Sequence, residues 1–158
     1  TDHAAVDRLD LHRYMGTWYE IARFDHRFER GLSEVTATYT LMPDGTVRVE
    51  NRGCKHKKPY DVCKTAEGRA KIPDPSQPGK LKVSFFLSFY SDYYVLELDQ
   101  DEYNYALIGS SSDKYLWILS RAPILPEEIK KKLLDAATRR GYDVKKLIWV
   151  EQREKKIM

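Results

Sequence analysis

Cys54 and Cys63, the two cysteines of the 158-residue chain, are the side chains best able to do covalent chemistry. A thiol acts as a low-pKa nucleophile, as part of a metal site, or as half of a disulfide. This pair has no C-x-x-C spacing and no histidine at zinc-ligand spacing. It brackets Lys55-His56-Lys57-Lys58-Pro59-Tyr60-Asp61-Val62, a polar stretch with proline that reads as a hairpin loop. A hairpin brings the two thiols together, so a disulfide outranks a nucleophile. His3, His12, His26 and His56 fall in the N-terminal tail or in loops, with no shared face and none evident on an inward strand face. No G-x-S-x-G, H-E-x-x-H or phosphate-binding glycine loop occurs. Nothing assembles a nucleophile, a base or a metal, so the chain reads as a non-enzyme that needs no cofactor.

Charge excludes further classes. The 27 basic and 24 acidic residues leave a net charge of +3. The densest basic runs, Lys55 to Lys58 and Lys130-Lys131-Lys132, read as solvated surface and not as a nucleic-acid footprint. No run of 18 apolar residues exists to form a membrane-spanning helix.

The elements that would position such side chains are short strands. Turn signals recur at Pro43-Asp44-Gly45, Pro73 to Gly79, Asp99 to Glu102 and Gly109 to Asp113. Between them, strands are expected near 16–24, 33–42, 46–53, 63–72, 80–88, 92–99, 103–110 and 114–121, the pattern of an up-and-down barrel or a sandwich. Alternation assigns inward faces. Val35, Ala37, Tyr39 and Leu41 share one face, and Val47, Val49 and Asn51 another. Ala66, Gly68, Ala70 and Ile72 oppose Glu67, Arg69 and Lys71, and their small size leaves interior volume. Leu81, Val83, Phe85 and Leu87 complete the set. Eleven Tyr, five Phe and three Trp favour a β-rich protein with an aromatic pocket.

The segment Tyr115 to Leu119 is apolar on both faces, so something must cover its outer side. Pro126 and Gly141 bracket a helix over 126–140 whose stripe is Ile129, Leu133, Ala136 and Ala137. A last strand is expected over about 146–152, and residues from Arg153 read as a polar tail. The whole chain, 1–158, reads as one domain with its barrel over about 14–122. Phe24, Phe28, Leu32, Phe89, Tyr90 and Tyr93 are expected near the loops of one barrel end, as a ligand entrance, a homodimer contact or a membrane-touching patch.

Gly16-Thr17-Trp18-Tyr19 resembles the first signature of the lipocalin family, G-x-W-Y at the start of strand one. The family's second motif, T-D-Y, is matched in part by Leu98-Asp99-Gln100-Asp101-Glu102-Tyr103, which lacks the Thr and spaces Asp and Tyr more widely. The third is an Arg closing strand eight, here Arg121. The longer stretch from Gly16 to Leu32 is similar to the bacterial outer-membrane lipocalins, a branch close to apolipoprotein D and the plant temperature-induced lipocalins. Leu81 to Phe86 and Gly141 to Val144 follow the same pattern, so the likeness runs from about Leu11 to Gln152.

The resemblance implies an eight-stranded antiparallel barrel with one outer helix and a ninth strand. It implies that Gly16, Trp18, Asp99, Tyr103 and Arg121 are structural, with Trp18 and Arg121 stacked to plug one end, away from ligand. A small amphipathic ligand, a fatty acid or lysophospholipid, would lie in the cavity against Tyr39, Val49, Asn51, Leu81, Val83, Phe85 and Trp117. Of these, Tyr39, Asn51 and Trp117 match ligand positions in the apolipoprotein D-like members. It further implies a place outside the cytoplasm, periplasmic or at a bacterial outer membrane. The branch is anchored there through an N-terminal cysteine that these residues do not carry. That setting favours the Cys54–Cys63 disulfide. The alternatives are an enzyme of lipid turnover using a reactive thiol, and a haem or pigment binder using an inward histidine.

Overall fold

The computed structural model describes residues 1–56, 59–86 and 89–153. A four-residue helix α1 (Leu11–Tyr14) leads into β1 (Gly16–Phe24), β2 (Ser33–Leu41), β3 (Val47–Lys55), β4 (Val62–Lys71), β5 (Lys80–Phe86), β6 (Phe89–Leu98), β7 (Tyr105–Gly109) and β8 (Trp117–Ser120). Helix α2 (Glu127–Arg140) and a short β9 (Leu147–Trp149) follow. The strands pair in the order β2-β3-β4-β5-β6-β7-β8-β1-β9, and a β1–β2 pairing closes the first eight into a barrel. Every neighbour is antiparallel, as short local turns between consecutive strands require. Lys57, Lys58, Leu87, Ser88 and the side chains of Phe86 and Phe89 lie outside the described residues. With them go the inward position expected of Leu87 and the rim position expected of Phe89.

Alternation sets the register where it is unbroken. Val49 lies opposite Tyr39 on one side and Gly68 on the other, all three buried on the inner wall. Glycine at 68 is required: a Cβ there would stand 2.5 Å from Ser84 O and 2.8 Å from Phe85 Cδ1. The Phe85 ring therefore takes up the room that the small face of β4 was expected to leave open.

One cluster fills the barrel, around Trp18, Tyr39, Val49, Leu81, Val95 and Ile108. A second lies between the outer wall and α2, around Ile21, Ala22, Phe24, Leu96, Leu107 and Ile118, under Leu133 and Ala137 of the helix. This is the cover that the doubly apolar 115–119 segment demanded. Helix α2 begins after Pro126, carries Glu127 and Glu128 in its first turn and Arg139 and Arg140 in its last, and ends at Gly141 with φ near 103°.

Three expectations change. Helix α1 is too short to leave a periodic signal, yet it closes the bottom of the barrel with the buried Tyr14. The last strand is shorter than expected, Leu147–Trp149. Arg153 is not a free tail residue: it reaches Glu34 at 3.4 Å and Asp61 at 3.7 Å beside the barrel mouth.

Candidate functional site: the barrel interior

Strand direction puts Gly16, the start of β1, and Arg121, just past β8, at the same end of the barrel. Gly16 has φ near 100°, which favours glycine, and a Cβ there would lie close to Arg121 Nη1 at 3.3 Å. The Arg121 guanidinium lies 3.9 Å from the centroid of the fully buried Trp18 ring. It donates to the carbonyls of Tyr103, Thr17 and Arg13. Asp99 accepts the amides of Glu102 and Asn104, folding the turn that brings Tyr103 here. The Tyr103 hydroxyl then accepts the Asp10 amide at 2.9 Å. The five family-motif residues thus meet at one closed end.

Above that plug lies a floor of three tyrosines. The Tyr93 hydroxyl meets that of Tyr14 at 2.5 Å and that of Tyr39 at 2.9 Å. Burial pushes all three hydroxyls up from their ordinary pKa. The inward hydroxyl of Tyr39 thus finds its partner inside the protein, as a buried polar group must. Val49 and Leu81 are buried beside this floor, paired with Tyr39 and Tyr93, and Val83, Phe85 and Trp117 are partly buried on the same lining. Asn51 lies between Ala37 and Ala66, nearer the mouth. The sequence-derived wall residues therefore share the interior. A small gap at this floor, bounded by Tyr14, Tyr39, Leu81, Val83 and Tyr93, measures about 10 Å³.

Among the described residues the expected aromatic rim is formed only in part. Phe24 is buried in the outer cluster against Tyr142. Tyr93 belongs to the floor, and Tyr90 lies on the outer surface with Lys71 above its ring. Phe28 is exposed on the mouth loop, and Leu32 packs over Gly53.

The mouth instead holds a charged cluster that alternation alone conceals. A register shift between Glu20 and Ala22 puts an extra residue into β1 against β8. Glu20 pairs with the interior Leu119 and Arg23 with the interior Trp117, whereas Ala22 pairs with the outward Ile118. Glu20 and Arg23 therefore both face inward, 3% and 2% exposed. Their closest approach, Nη1 to Oε2, is 3.6 Å. Arg23 Nη2 donates to the carbonyls of Glu29 and Leu32, holding the 25–32 loop across the mouth. That loop inserts Glu29, whose Oε1 accepts Trp117 Nε1 at 2.9 Å and meets His26 Nε2 at 2.6 Å. Burial opposes the charge on Glu29, but His26, the neighbouring Glu20 and Trp117 outweigh it and hold the carboxyl down to about 2. Burial, and then the Glu29 charge, push the Glu20 carboxyl well up. His26 is thus a correction: it faces the interior mouth, engaged with Glu29. Among the described residues no group of three or more His, Cys, Asp or Glu is placed to hold a metal.

Cys54 and Cys63 form a disulfide across directly paired positions of β3 and β4, with Cα atoms 4.0 Å apart. It ties the two strands at their mouth ends.

Residues 9–152 match the model of the lipocalin-like domain family. The chain is 50% identical over 147 residues to outer membrane lipoprotein Blc of Citrobacter freundii, a match covering 93% of this chain and 81% of that one. It is 44% identical over 151 residues to temperature-induced lipocalin-1 of Arabidopsis thaliana, covering 90% and 78%. Insecticyanin from the tobacco hornworm has the same fold, with a TM-score of 0.78 at 24% identity over 98% of this chain and 86% of that one.

Proposed function

The chain belongs to the lipocalin family, and from that premise we propose that it carries a fatty acid, lysophospholipid or similar amphipathic lipid in its barrel, outside the cytoplasm and without catalysis. The observation that carries this reading is the inner wall itself. Val49, Leu81, Val83, Phe85 and Trp117 form an apolar, aromatic lining beside and above a tyrosine floor, at the centre of a barrel plugged at the Trp18 end. Tyr39 and Asn51 add the few polar groups that orient an amphiphile.

The gap at the floor of the barrel, about 10 Å³, is far smaller than the roughly 300 Å³ of a common small-molecule site. An acyl chain that reaches this floor therefore requires lining side chains there to give way. Burial of the chain drives the exchange, at roughly 0.8 kcal/mol per methylene.

Both cysteines are joined in the disulfide, which removes the thiol that a catalytic reading would use. A disulfide persists in an oxidising compartment, and relatives named as outer membrane lipoproteins support an extracytoplasmic place. Anchoring at the outer membrane is part of the same proposal. Native mass spectrometry of gently purified protein tests the reading: a co-purified lipid mass supports it, and a bound pigment or haem overturns it.

A further inference from the structure

The mouth cluster has a property that a purely structural cluster would avoid. Arg23 is 2% exposed, and its Nε and Nη1 atoms have no hydrogen-bond partner. Both oxygens of Glu20 and the Nδ1 of His26 are likewise buried without one. A guanidinium stays charged in any protein environment, and a buried charge without a hydrogen-bonded counter-ion is costly. Glu20 reaches Arg23 only at 3.6 Å, and burial beside Glu29 favours its neutral form, so it is a weak counter-ion. The Glu29 carboxylate is occupied by His26 and Trp117. A weakly matched cation thus sits at the upper interior, on the residue paired with Trp117 across β1 and β8.

The residue that now takes the Trp117 N–H does not belong to the wall. Glu29 comes from the 25–32 loop and inserts its carboxylate from above. Trp117 is held for that contact by stacking on Tyr115, 5.7 Å between centroids and 5° from parallel. A carboxylate is therefore already bound at this spot, supplied by the protein itself on a segment that an incoming ligand must pass.

We propose that Arg23 and Trp117 are the anchor for the acidic headgroup of the bound amphiphile, and that Glu29 holds the place until a ligand carboxylate or phosphate displaces it. The selected class is a long-chain lipid with one oxyanion at its end, with the tail running down to the Tyr14–Tyr39–Tyr93 floor and the headgroup under the mouth loop. This rests on the carrier reading above and adds a specificity to it.

Calorimetric titration of the full chain with hexadecanoic acid, 1-hexadecanol and 1-palmitoyl lysophosphatidic acid tests it. At least one of the two anions is expected to bind about tenfold or more tighter than the alcohol, the scale of one charge-assisted hydrogen-bond pair. The tighter anion identifies the headgroup. In Trp117→Phe the anion-to-alcohol ratio falls towards unity, whatever happens to absolute affinity. In Glu29→Gln the ratio rises, because the resident charge is gone. Equal binding of acid, phosphate and alcohol to the wild type overturns the headgroup proposal and leaves the carrier reading standing. An unchanged ratio in both variants overturns it too. Failure of all three lipids to bind would instead overturn the carrier reading beneath it.

Discussion

Arg121 lies flat over the indole of Trp18 at 3.9 Å, with its remaining donors on three backbone carbonyls. This pair joins the first turn of the chain's first strand to the exit of its eighth, so it fastens the barrel where the sheet closes on itself. The stack contributes about 0.5–2 kcal/mol in addition to the burial of the ring. It lies below the tyrosine floor, away from the interior wall.

Trp18→Ala is accordingly expected to cost stability far more than binding. Truncating a large buried aromatic costs about 3–5 kcal/mol. Urea denaturation should show that loss. Lipid affinity of the fraction that remains folded should change much less. A variant with the wild-type midpoint but no binding would contradict the placement of Trp18 in the plug.

The Cys54–Cys63 disulfide closes a short loop, so its loss should cost about 2–3 kcal/mol in the chain-entropy model. Denaturation with and without reductant measures this. Alkylation of oxidised, unfolded protein should label no thiol; two labelled thiols would refute the bridge and restore a candidate nucleophile.

The mouth carboxyls predict a pH dependence with opposite signs. Glu20 titrates higher in the folded protein than in the unfolded chain, chiefly through burial. Its stabilising contribution is therefore full below the unfolded value of about 4.3 and is lost as pH rises through the folded value. Glu29, held down to about 2, contributes above about 4.3 and loses that contribution as pH falls through about 2. The gain in stability of Glu20→Gln over the wild type should thus grow as pH rises above about 4.3. Parallel stability profiles for the two proteins would show that Glu20 is not held neutral.

The barrel was legible because pairing is regular from Thr36 to Leu41 of β2, along β3 against β4, and from Lys80 to Val83 of β5. Tyr39, Val49, Leu81 and Val83 follow directly from period two, and the doubly apolar β8 announces its covering helix. The mouth was not legible, because one residue of shift in β1 inverts the reading. Strict alternation from Trp18 puts Ala22 and Phe24 inward and Arg23 outward. The pairing of Ala22 with Ile118 under α2 does the opposite. A bulge of this kind is chosen by the outer apolar cluster, which forms only in three dimensions. The same holds for Glu29, a loop residue whose burial depends on Trp117, 88 positions away.

The most direct test of the carrier account is a chain-length series. Saturated fatty acids of increasing length, titrated against tryptophan emission, should bind with affinity that rises roughly fourfold per methylene until the barrel is filled, the equivalent of about 0.8 kcal/mol each. A plateau at long chains then measures the opened cavity. Affinity independent of chain length would mean that the interior does not bury the acyl chain, and would contradict the account.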